Sequence, residues 1–372
     1  MMNVKHLLKP FTLKALSLPS RVVMAPMTRN KSPNNIPGPD VADYYRRRAE
    51  NLVGLIITEG TVVDITGHGY PDVPNFYGEK SLQGWKTVVE KVHGAGGKIF
   101  PQLWHVGSVR QSGMAPDPSL PGYGPSPILH PSIENGEPPK EMSISDIDGV
   151  ITAFAKAAEQ AENLGFDGIE IHGAHGYLID QFFWDRTNRR SDRYGGDTIG
   201  ERTLFAAEII GAIKEKVDES FPVCLRISQW KMGDFDAKLA HTPQELEQFL
   251  IPLSEAGVDI FHCSTRRFSR PEFPGSTLNL AGWTKKITGK PVITVGSIGL
   301  DTDFVSMRIK GETAKGSEKT IHDLLACLAR DEFDLVAIGR ALLADPTWTT
   351  KVVQGRFEEI KTFTMKSLET LY

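Results

Sequence analysis

Short apolar runs alternate with amphipathic, helix-like segments along most of this 372-residue chain, and that alternation constrains the fold more than any other feature. Brief apolar runs bounded by turn residues are typical of strands buried on both faces, which occur in parallel sheets whose connections are helices. Eight runs fit this description: Arg21–Thr28, Gly54–Gly60, Lys98–Trp104, Gly168–His172, Phe221–Ser228, Asp259–Ser264, Pro291–Ser297 and Asp334–Arg340. In the first of them the strand is expected to end near Pro26, because proline cannot donate to a ladder.

Helix signals lie between these runs. Ser145-Asp146-Ile147-Asp148 resembles a capping box, and Thr242-Pro243-Gln244-Glu245 is a second one with proline at the first helical position. The predicted helices cover residues 40–51, 81–95, 145–164, 199–217, 242–257 and 318–330. Eight strands alternating with helices predict an α/β fold, a closed parallel (β/α)8 TIM barrel. A doubly wound open sheet is the second possibility, but no Gly-x-Gly-x-x-Gly turn follows the first strand.

Two segments fall outside the repeating unit. Residues 11–21 predict a small N-terminal hairpin that plugs one end of the barrel. Residues 105–142, after the third strand, are rich in Pro, Gly and Ser and are much longer than an ordinary connection. Because the alternation continues on both sides, we interpret them as a capping insertion and predict a single domain over residues 1–372.

In a (β/α)8 barrel the carboxyl end of every strand faces one mouth, and that mouth carries the active site. Polar and small residues that are far apart in the sequence follow the predicted strands and should meet there: Thr28, Gly60, Gln102, His172, Arg226, Gly296 and Gly339. This convergence is the main functional inference from the pattern alone.

The fourth strand leads into a group of residues whose chemistry is informative. Gly173 and Gly176 are expected to turn the backbone so that His172, His175 and Tyr177 surround one small volume. Imidazole N–H groups suit a carbonyl oxygen that gains negative charge, and an uncharged phenol suits delivery of a proton to carbon. A metal site and purely structural histidines are the alternatives, although no helical His-Glu-x-x-His arrangement or nearby third ligand supports a metal.

Two further features predict anion binding. Gly296-Ser297 and Gly339-Arg340 end strands seven and eight, where such barrels commonly bind phosphate, although glycines also serve ordinary tight turns there. Arg226 ends a buried strand and therefore needs a partner. That partner is either an anionic ring edge or a carboxylate of a neighbouring strand, Glu59 or Glu170.

Bulk properties exclude several classes of protein. A net charge of −4, with 24% charged and 40% hydrophobic residues, gives no electrostatic reason to expect nucleic acid or an anionic membrane as a partner. No apolar run approaches the length that spans a bilayer, and the first residues lack the apolar core of an export signal. The three cysteines are far apart and odd in number, so we expect a cytoplasmic protein without a clustered Cys metal site.

Together these residues resemble the old yellow enzyme family of FMN-dependent ene-reductases. The resemblance covers almost the whole chain and is carried by five stretches in order: Met24–Arg29, Pro101–Gly107, Ile171–Leu178 followed by Gln181-Phe182-Phe183, Arg189–Gly196, and Gly339-Arg340. A branch of the family that carries an iron–sulfur cluster is not a match, because this chain has neither its Cys cluster nor its length.

The resemblance implies a role for each site residue. It implies that FMN lies across the barrel mouth, held by Ala25, Pro26, Met27, Thr28, Gly60, Gln102 and Arg226, with its phosphate at Gly296, Ser297, Gly339 and Arg340. It further implies that His172 and His175 bind the substrate carbonyl, that Tyr177 is the proton donor, and that Tyr70 and Trp104 shape the substrate pocket.

The implied reaction has two halves that share one site. NADH or NADPH reduces FMN, which then transfers hydride to the β-carbon of an α,β-unsaturated carbonyl compound while Tyr177 protonates the α-carbon. Nitro compounds are expected as secondary acceptors, and the protein is expected to be a monomer or a homodimer. A flavin-binding redox sensor and a flavin-free phosphate-binding barrel lyase or isomerase are the alternatives.

Three positions depart from the family pattern. Gly60 stands where alanine is expected, and Ser297 is unusual for the phosphate loop. The loop around Arg266 and Arg267 also differs, and we hypothesise that one of these arginines contacts an acidic group of the substrate or of NADPH. A solvated basic loop is the alternative.

Overall fold

A computed structural model describes residues 4–310 and 313–372, and only the backbone at 308–310. It contains a closed barrel of eight parallel strands. The strands in chain order are β1 (Phe11–Leu13), β2 (Leu16–Leu18), β3 (Val22–Met24), β4 (Leu55–Val62), β5 (Lys98–Trp104), β6 (Tyr123–Gly124), β7 (Lys140–Glu141), β8 (Ile169–His175), β9 (Val223–Lys231), β10 (Ile260–Ser264), β11 (Val292–Val295) and β12 (Leu335–Ile338). The barrel order is β3-β4-β5-β8-β9-β10-β11-β12, with β12 pairing with β3. The predicted TIM barrel is confirmed, and the open sheet is excluded.

The helices that surround the barrel include all six that the sequence predicts. In chain order they are α1 (Pro39–Ala49), α2 (Glu79–Gly94), α3 (Ile144–Asn163), α4 (Leu178–Phe183), α5 (Leu204–Lys214), α6 (Pro243–Glu255), α7 (Leu280–Thr288), α8 (Phe304–Lys310), α9 (Glu318–Ala329), α10 (Arg340–Ala344) and α11 (Trp348–Val353). The five that were not predicted are α4, α7, α8, α10 and α11, which have nine residues or fewer and so too few turns for a clear apolar period. None of the helices in the described residues is both long and apolar enough to cross a membrane.

Two helix starts differ from the predicted caps. The capping box of α3 is built by Ser143 and Asp146, so the N-cap lies two residues before the predicted Ser145. At α6 the side chain of Thr242 accepts the Glu245 N–H as predicted, but the Glu245 carboxylate accepts the N–H of His241. The first part of the predicted helix 199–217 is a short 3-10 turn that precedes α5.

The N-terminal hairpin, β1 paired antiparallel with β2, lies at one end of the barrel as predicted. Its side chains Phe11, Leu16 and Leu18 are buried in one apolar cluster with Val23, Leu55, Phe100, Ile260 and Leu335 from the barrel strands. Burial of apolar surface contributes about 25 cal/mol per Å², so the packing of these side chains stabilises this end of the barrel.

The segment 105–142 contacts the opposite end of the barrel. Leu178 donates its backbone N–H to the carbonyl of His105 at 3.1 Å. His130 hydrogen-bonds the carbonyl of Gly176 at 2.9 Å, and Arg110 donates to the carbonyl of His68 at 3.1 Å. These contacts hold the insertion against the turns that follow β4 and β8.

Candidate active site at the carboxyl ends of the strands

His172, His175 and Tyr177 lie close together at the end of β8. The ring centroid of His172 is 5.1 Å from that of His175 and 5.1 Å from that of Tyr177, with both pairs nearly perpendicular. The predicted turn at Gly173 is wrong, because β8 continues through a register irregularity to His175. The turn comes at His175 and Gly176, whose φ angles are 65° and 83°. An irregularity in a strand redirects its side chains, and here it brings both imidazoles to the mouth.

An aromatic wall borders these three side chains. Trp104, at the end of β5, is stacked with Tyr70 at 5.5 Å and with His172 at 6.0 Å, and meets the edge of Tyr177 at 4.8 Å. The hydroxyls of Tyr70 and Tyr177 are 3.1 Å apart. The two residues predicted to shape the substrate pocket therefore lie in contact with the predicted proton donor.

Both histidines are neutral at pH 7. Burial, reinforced by the nearby charge of Arg226, lowers the pKa of His172 to about 3, and the same causes hold the pKa of His175 well below its ordinary value. The Nδ1 atom of His172 accepts the N–H of Ala174 at 3.3 Å, so its proton belongs on Nε2. The Nε2 atom of His175 is 2.7 Å from the Oγ atom of Ser264. The neutral ring of His172 therefore keeps an N–H on Nε2 that can donate to a ligand, and His175 keeps one on Nδ1 in the tautomer in which its Nε2 atom accepts the hydroxyl of Ser264.

Arg226, on β9, is a buried guanidinium without an ion pair in the described residues. The side chain is 7% exposed, its closest polar contact is the Oγ atom of Ser264 at 3.5 Å, and its Nε atom has no partner there. Glu170 is engaged by Gln102 and His262, and Glu59 accepts the backbone N–H of Arg29. The expected alternative, an ion pair with Glu59 or Glu170, is therefore not formed.

The residues after β3 lie next to the end of β12. A Cβ atom added to Gly339 would lie 3.5 Å from the Sδ atom of Met27 and 3.8 Å from the Cβ atom of Ala25. Pro26, which lies between Ala25 and Met27 in the sequence, is buried, and Thr28 is exposed. The strand β3 ends at Met24, before Pro26, as the sequence indicates.

Gly60 and Gln102 face each other across β4 and β5. They are register partners, and both are buried. The strand β4 runs on to Val62, two residues beyond its predicted end, and its register with β5 shifts between Ile57 and Gly60. A Cβ atom on Gly60 would lie only 2.4 Å from the Cε3 atom of Trp104, which gives a local reason for glycine where the family pattern has alanine.

The residues predicted to bind phosphate meet at the ends of β11 and β12. Arg340 donates to the Oγ atom of Ser297 at 3.3 Å and to the carbonyl of Thr302 at 2.7 Å. Burial lowers the pKa of Arg340 to about 10, which leaves it charged at pH 7. Gly296 has a φ of 153°, and a Cβ atom there would lie 2.6 Å from the Oγ1 atom of Thr265. The helix α10 begins directly after Gly339, so the free amides of its first turn belong to this cluster.

Arg266 and Arg267 lie beside this cluster. Each guanidinium is 3.4 Å from a carboxylate oxygen of Asp303, and the carbonyl of Arg266 accepts the hydroxyl of Ser297 at 2.8 Å. Their side chains are 26% and 30% exposed, so the loop is not a freely solvated one. That one of them contacts an acidic group of the substrate or of NADPH stays a prediction.

Three residues at the mouth were not anticipated from the sequence. Trp230 stacks on His175 at 4.4 Å, and the Sδ atom of Met232 lies 3.9 Å from the hydroxyl of Tyr177. Ser264 bridges His175 and Arg226. The first two were missed because β9 was expected to end at Ser228 and instead runs to Lys231. The continuing alternation in Gln229-Trp230-Lys231 is the signal that could have revealed them.

No cluster of three or more His, Cys, Asp or Glu side chains suited to a metal ion occurs in the part of the chain that the structure describes. The mouth instead brings together five side chains: the buried guanidinium of Arg226, which forms no ion pair in the described residues, Arg340 at the start of α10, the neutral imidazoles of His172 and His175, and the phenol of Tyr177. This arrangement can bind an anion at one end and polarise and protonate a neutral ligand at the other.

Comparison with known proteins identifies relatives of the same architecture. The sequence profile of the NADH:flavin oxidoreductase / NADH oxidase family matches residues 6–315. A 12-oxophytodienoate reductase 2 from Arabidopsis thaliana is 34% identical over 351 residues, which cover 91% of this chain and 86% of the relative. Morphinone reductase in complex with tetrahydroNAD superposes with a TM-score of 0.79 at 28% identity, over 97% of this chain and 93% of that one. Old Yellow Enzyme from Pichia sp. AKU4542 shares the fold, with a TM-score of 0.80 at 24% identity over 98% of this chain and 90% of that one.

Proposed function

Because the chain belongs to the NADH:flavin oxidoreductase / NADH oxidase family, and so is an NAD(P)H-dependent flavin oxidoreductase with FMN as its cofactor, we propose that it is an ene-reductase. Its substrates are α,β-unsaturated carbonyl compounds, reduced across the carbon–carbon double bond. The resemblance to the old yellow enzyme family is confirmed at the level of family and fold. Family membership also removes the flavin-free barrel lyase or isomerase.

The residues at the mouth fit FMN. The buried guanidinium of Arg226, with its unpartnered Nε atom, suits the electron-rich pyrimidine edge of the ring. Arg340 and Ser297 suit the phosphate, because they meet at the ends of β11 and β12 beside the first turn of α10. When bound, FMN supplies hydride transfer from the nicotinamide donor to the acceptor.

His172 and His175 bind and polarise the carbonyl oxygen of the substrate. Their depressed pKa values keep both rings neutral at pH 7, so each donates an N–H without competing for the proton that the product needs. Loss of one donor to an oxygen that gains charge typically costs about 3 to 4 kcal/mol of transition-state stabilisation. The same pair of donors can hold a nitro group, which supports nitro compounds as secondary acceptors.

Tyr177 protonates the α-carbon. Its ring lies 5.1 Å from His172, so its hydroxyl can reach the carbon next to a carbonyl that the imidazoles hold. The aromatic wall of Tyr70 and Trp104 keeps water from the reacting carbons, because both side chains pack against Tyr177.

The observation that carries this proposal is the meeting of two neutral imidazoles and one phenol within one volume beside an unpaired buried guanidinium. The test is an anaerobic visible spectrum of the purified protein, followed by NADPH or NADH and then 2-cyclohexenone. We expect a flavin spectrum that bleaches with the donor and returns with the enone.

Two other outcomes would contradict the proposal. A flavin that is reduced by the donor but is not reoxidised by enones or nitro compounds would favour the redox sensor. A protein that neither contains nor binds FMN would remove the assigned cofactor. Parallel runs with NADH and NADPH establish the preferred donor.

A further inference from the structure

Below the proposed flavin site, three strands bring Gln102, Glu170 and His262 together inside the barrel. Gln102 and Glu170 are register partners on β5 and β8, and His262 is the register partner of Arg226. Glu170 and His262 are fully buried, and Gln102 is 3% exposed. Glu170 precedes His172 by two residues on the same face of β8, and so lies roughly 7 Å deeper in the barrel. None of the roles proposed above uses Glu170 or His262.

The hydrogen bonds of Glu170 favour the ionised form of its carboxyl group. One carboxylate oxygen accepts the Nε2 amide of Gln102 at 2.8 Å, and the other lies 2.6 Å from the Nδ1 atom of His262. The thiol of Cys224 donates to the second oxygen at 3.5 Å. Burial would raise the pKa of Glu170, but the interactions with His262, Arg226 and Gln102 leave it below its ordinary value. Burial lowers the pKa of His262 and so favours a neutral ring that donates its Nδ1–H to the carboxylate, which leaves the negative charge on Glu170.

This carboxylate decides how Gln102 points. An amide nitrogen must face Glu170, because an ionised carboxylate only accepts hydrogen bonds. The carbonyl oxygen of Gln102 is therefore the atom left for a ligand at the mouth. The pyrimidine edge of a flavin presents one N–H between two carbonyl oxygens, and that N–H requires an acceptor. In the opposite orientation the amide nitrogen of Gln102 would face the N–H of the flavin, and two hydrogen-bond donors would oppose each other.

We infer that Glu170 is a positioning residue for FMN, which fixes the amide of Gln102 as an acceptor and, paired with His262, places a negative charge below Arg226. The inference rests on the proposed contacts of Gln102 and Arg226 with the flavin. The charge opposes the uptake of electrons by the ring and so lowers the midpoint potential of bound FMN. Arg226 acts in the opposite direction, and the balance between the two charges sets the potential.

The test is Glu170→Gln, with Asp167→Asn as the matched control. Asp167 precedes β8 at the other end of the barrel, where it pairs with His93 and Lys98, so the control makes the same change in charge away from the mouth. We expect Glu170→Gln to shift the midpoint potential of bound FMN to more positive values, and to weaken FMN binding to the apoprotein by roughly tenfold. The control should leave both quantities as in the wild type.

Potentials are measured by equilibration with a reference dye, and FMN affinity by quenching of flavin fluorescence, so neither result depends on turnover. A folded Glu170→Gln protein with the wild-type potential and the wild-type FMN affinity would overturn the inference. If this variant does not fold, Glu170→Asp decides, because it keeps the charge but withdraws the carboxylate by one methylene. Weaker FMN binding with a nearly unchanged potential then supports the inference, and unchanged binding contradicts it.

The result of the Glu170→Gln experiment can be distinguished from the result of the test of the ene-reductase proposal. A wild-type protein that binds FMN but does not reduce enones would refute the ene-reductase proposal. The shift in potential of Glu170→Gln would still be measurable in that protein.

Discussion

The ammonium of Lys231 lies 2.8 Å from a carboxylate oxygen of Asp180, and neither side chain is exposed at all. The other oxygen of Asp180 accepts the backbone N–H of Gly176, and Lys231 also donates to the carbonyl of Ser228 at 3.0 Å. Because Gly176 lies between His175 and Tyr177, this ion pair holds the turn that carries two of the proposed catalytic groups.

Asp180→Asn should destabilise the fold by about 3 to 5 kcal/mol, because it leaves Lys231 buried without a counter-charge. The free energy of unfolding is measured by urea denaturation. Asp234→Asn is the control, since its pair with Arg186 is solvent-exposed and is worth about 1 kcal/mol or less. A loss below about 1 kcal/mol in Asp180→Asn would mean that the buried pair contributes no more than a surface pair.

Tyr177→Phe should separate the two halves of the reaction. We expect flavin reduction by the nicotinamide donor to keep its rate, and reoxidation by 2-cyclohexenone to slow by roughly 10²- to 10⁴-fold, the usual contribution of a general acid. Stopped-flow absorbance of the flavin measures each half separately. Tyr70→Phe, which keeps the ring stacked on Trp104, is the control and should slow reoxidation far less. Equal losses in both half-reactions would assign Tyr177 to ligand binding instead of proton transfer.

The histidines of the mouth should make stability fall in mild acid. The folded state holds the pKa of His172 at about 3, whereas the ordinary value is 6.5, so between these pH values only the unfolded state binds the proton. Each such histidine lowers the free energy of unfolding by about 1.4 kcal/mol per pH unit as the pH falls. His130, with its pKa lowered to about 4, acts in the same direction, and Glu59, with its pKa raised to about 7, opposes them.

The contribution of His172 is isolated by comparing the wild type with His172→Asn. The dependence of unfolding free energy on pH should be shallower in the variant by about 1.4 kcal/mol per pH unit between roughly pH 4 and 6. Urea denaturation at a series of pH values provides the comparison. Parallel curves for the two proteins would show that His172 is not held neutral by the fold.

Gly60→Ala, which restores the residue expected from the family pattern, should disturb Trp104. The added Cβ atom would lie 2.4 Å from the Cε3 atom and 2.8 Å from the Cδ2 atom of the indole, a rigid ring that cannot yield locally. We expect a loss of about 1 to 3 kcal/mol in stability and a changed tryptophan emission spectrum. Gly94→Ala, at the end of α2 with nothing within 4 Å of the new Cβ atom, should be neutral or slightly stabilising. An unperturbed spectrum and stability in Gly60→Ala would mean that the backbone of β4 moves instead.

A parallel barrel, with most of the residues at its mouth, could be predicted from the amino-acid sequence. Largely apolar runs such as Lys98–Trp104 predict strands that are buried on both faces, and helices between them favour a parallel arrangement in which the carboxyl ends of the strands meet. Gln102, His172 and Arg226 could be assigned to the mouth for that reason alone.

The partners that lie opposite these residues could not be predicted, because they depend on how the barrel closes. The ion pair of Lys231 with Asp180, the contact of Glu170 with His262 and the stacking of Trp230 on His175 join residues 51, 92 and 55 positions apart, and no local pattern encodes such pairs. The register irregularity in β8 likewise depends on its pairing with β9. Periodicity reports which face of an element is buried, whereas partners and protonation depend on the distances that barrel closure imposes.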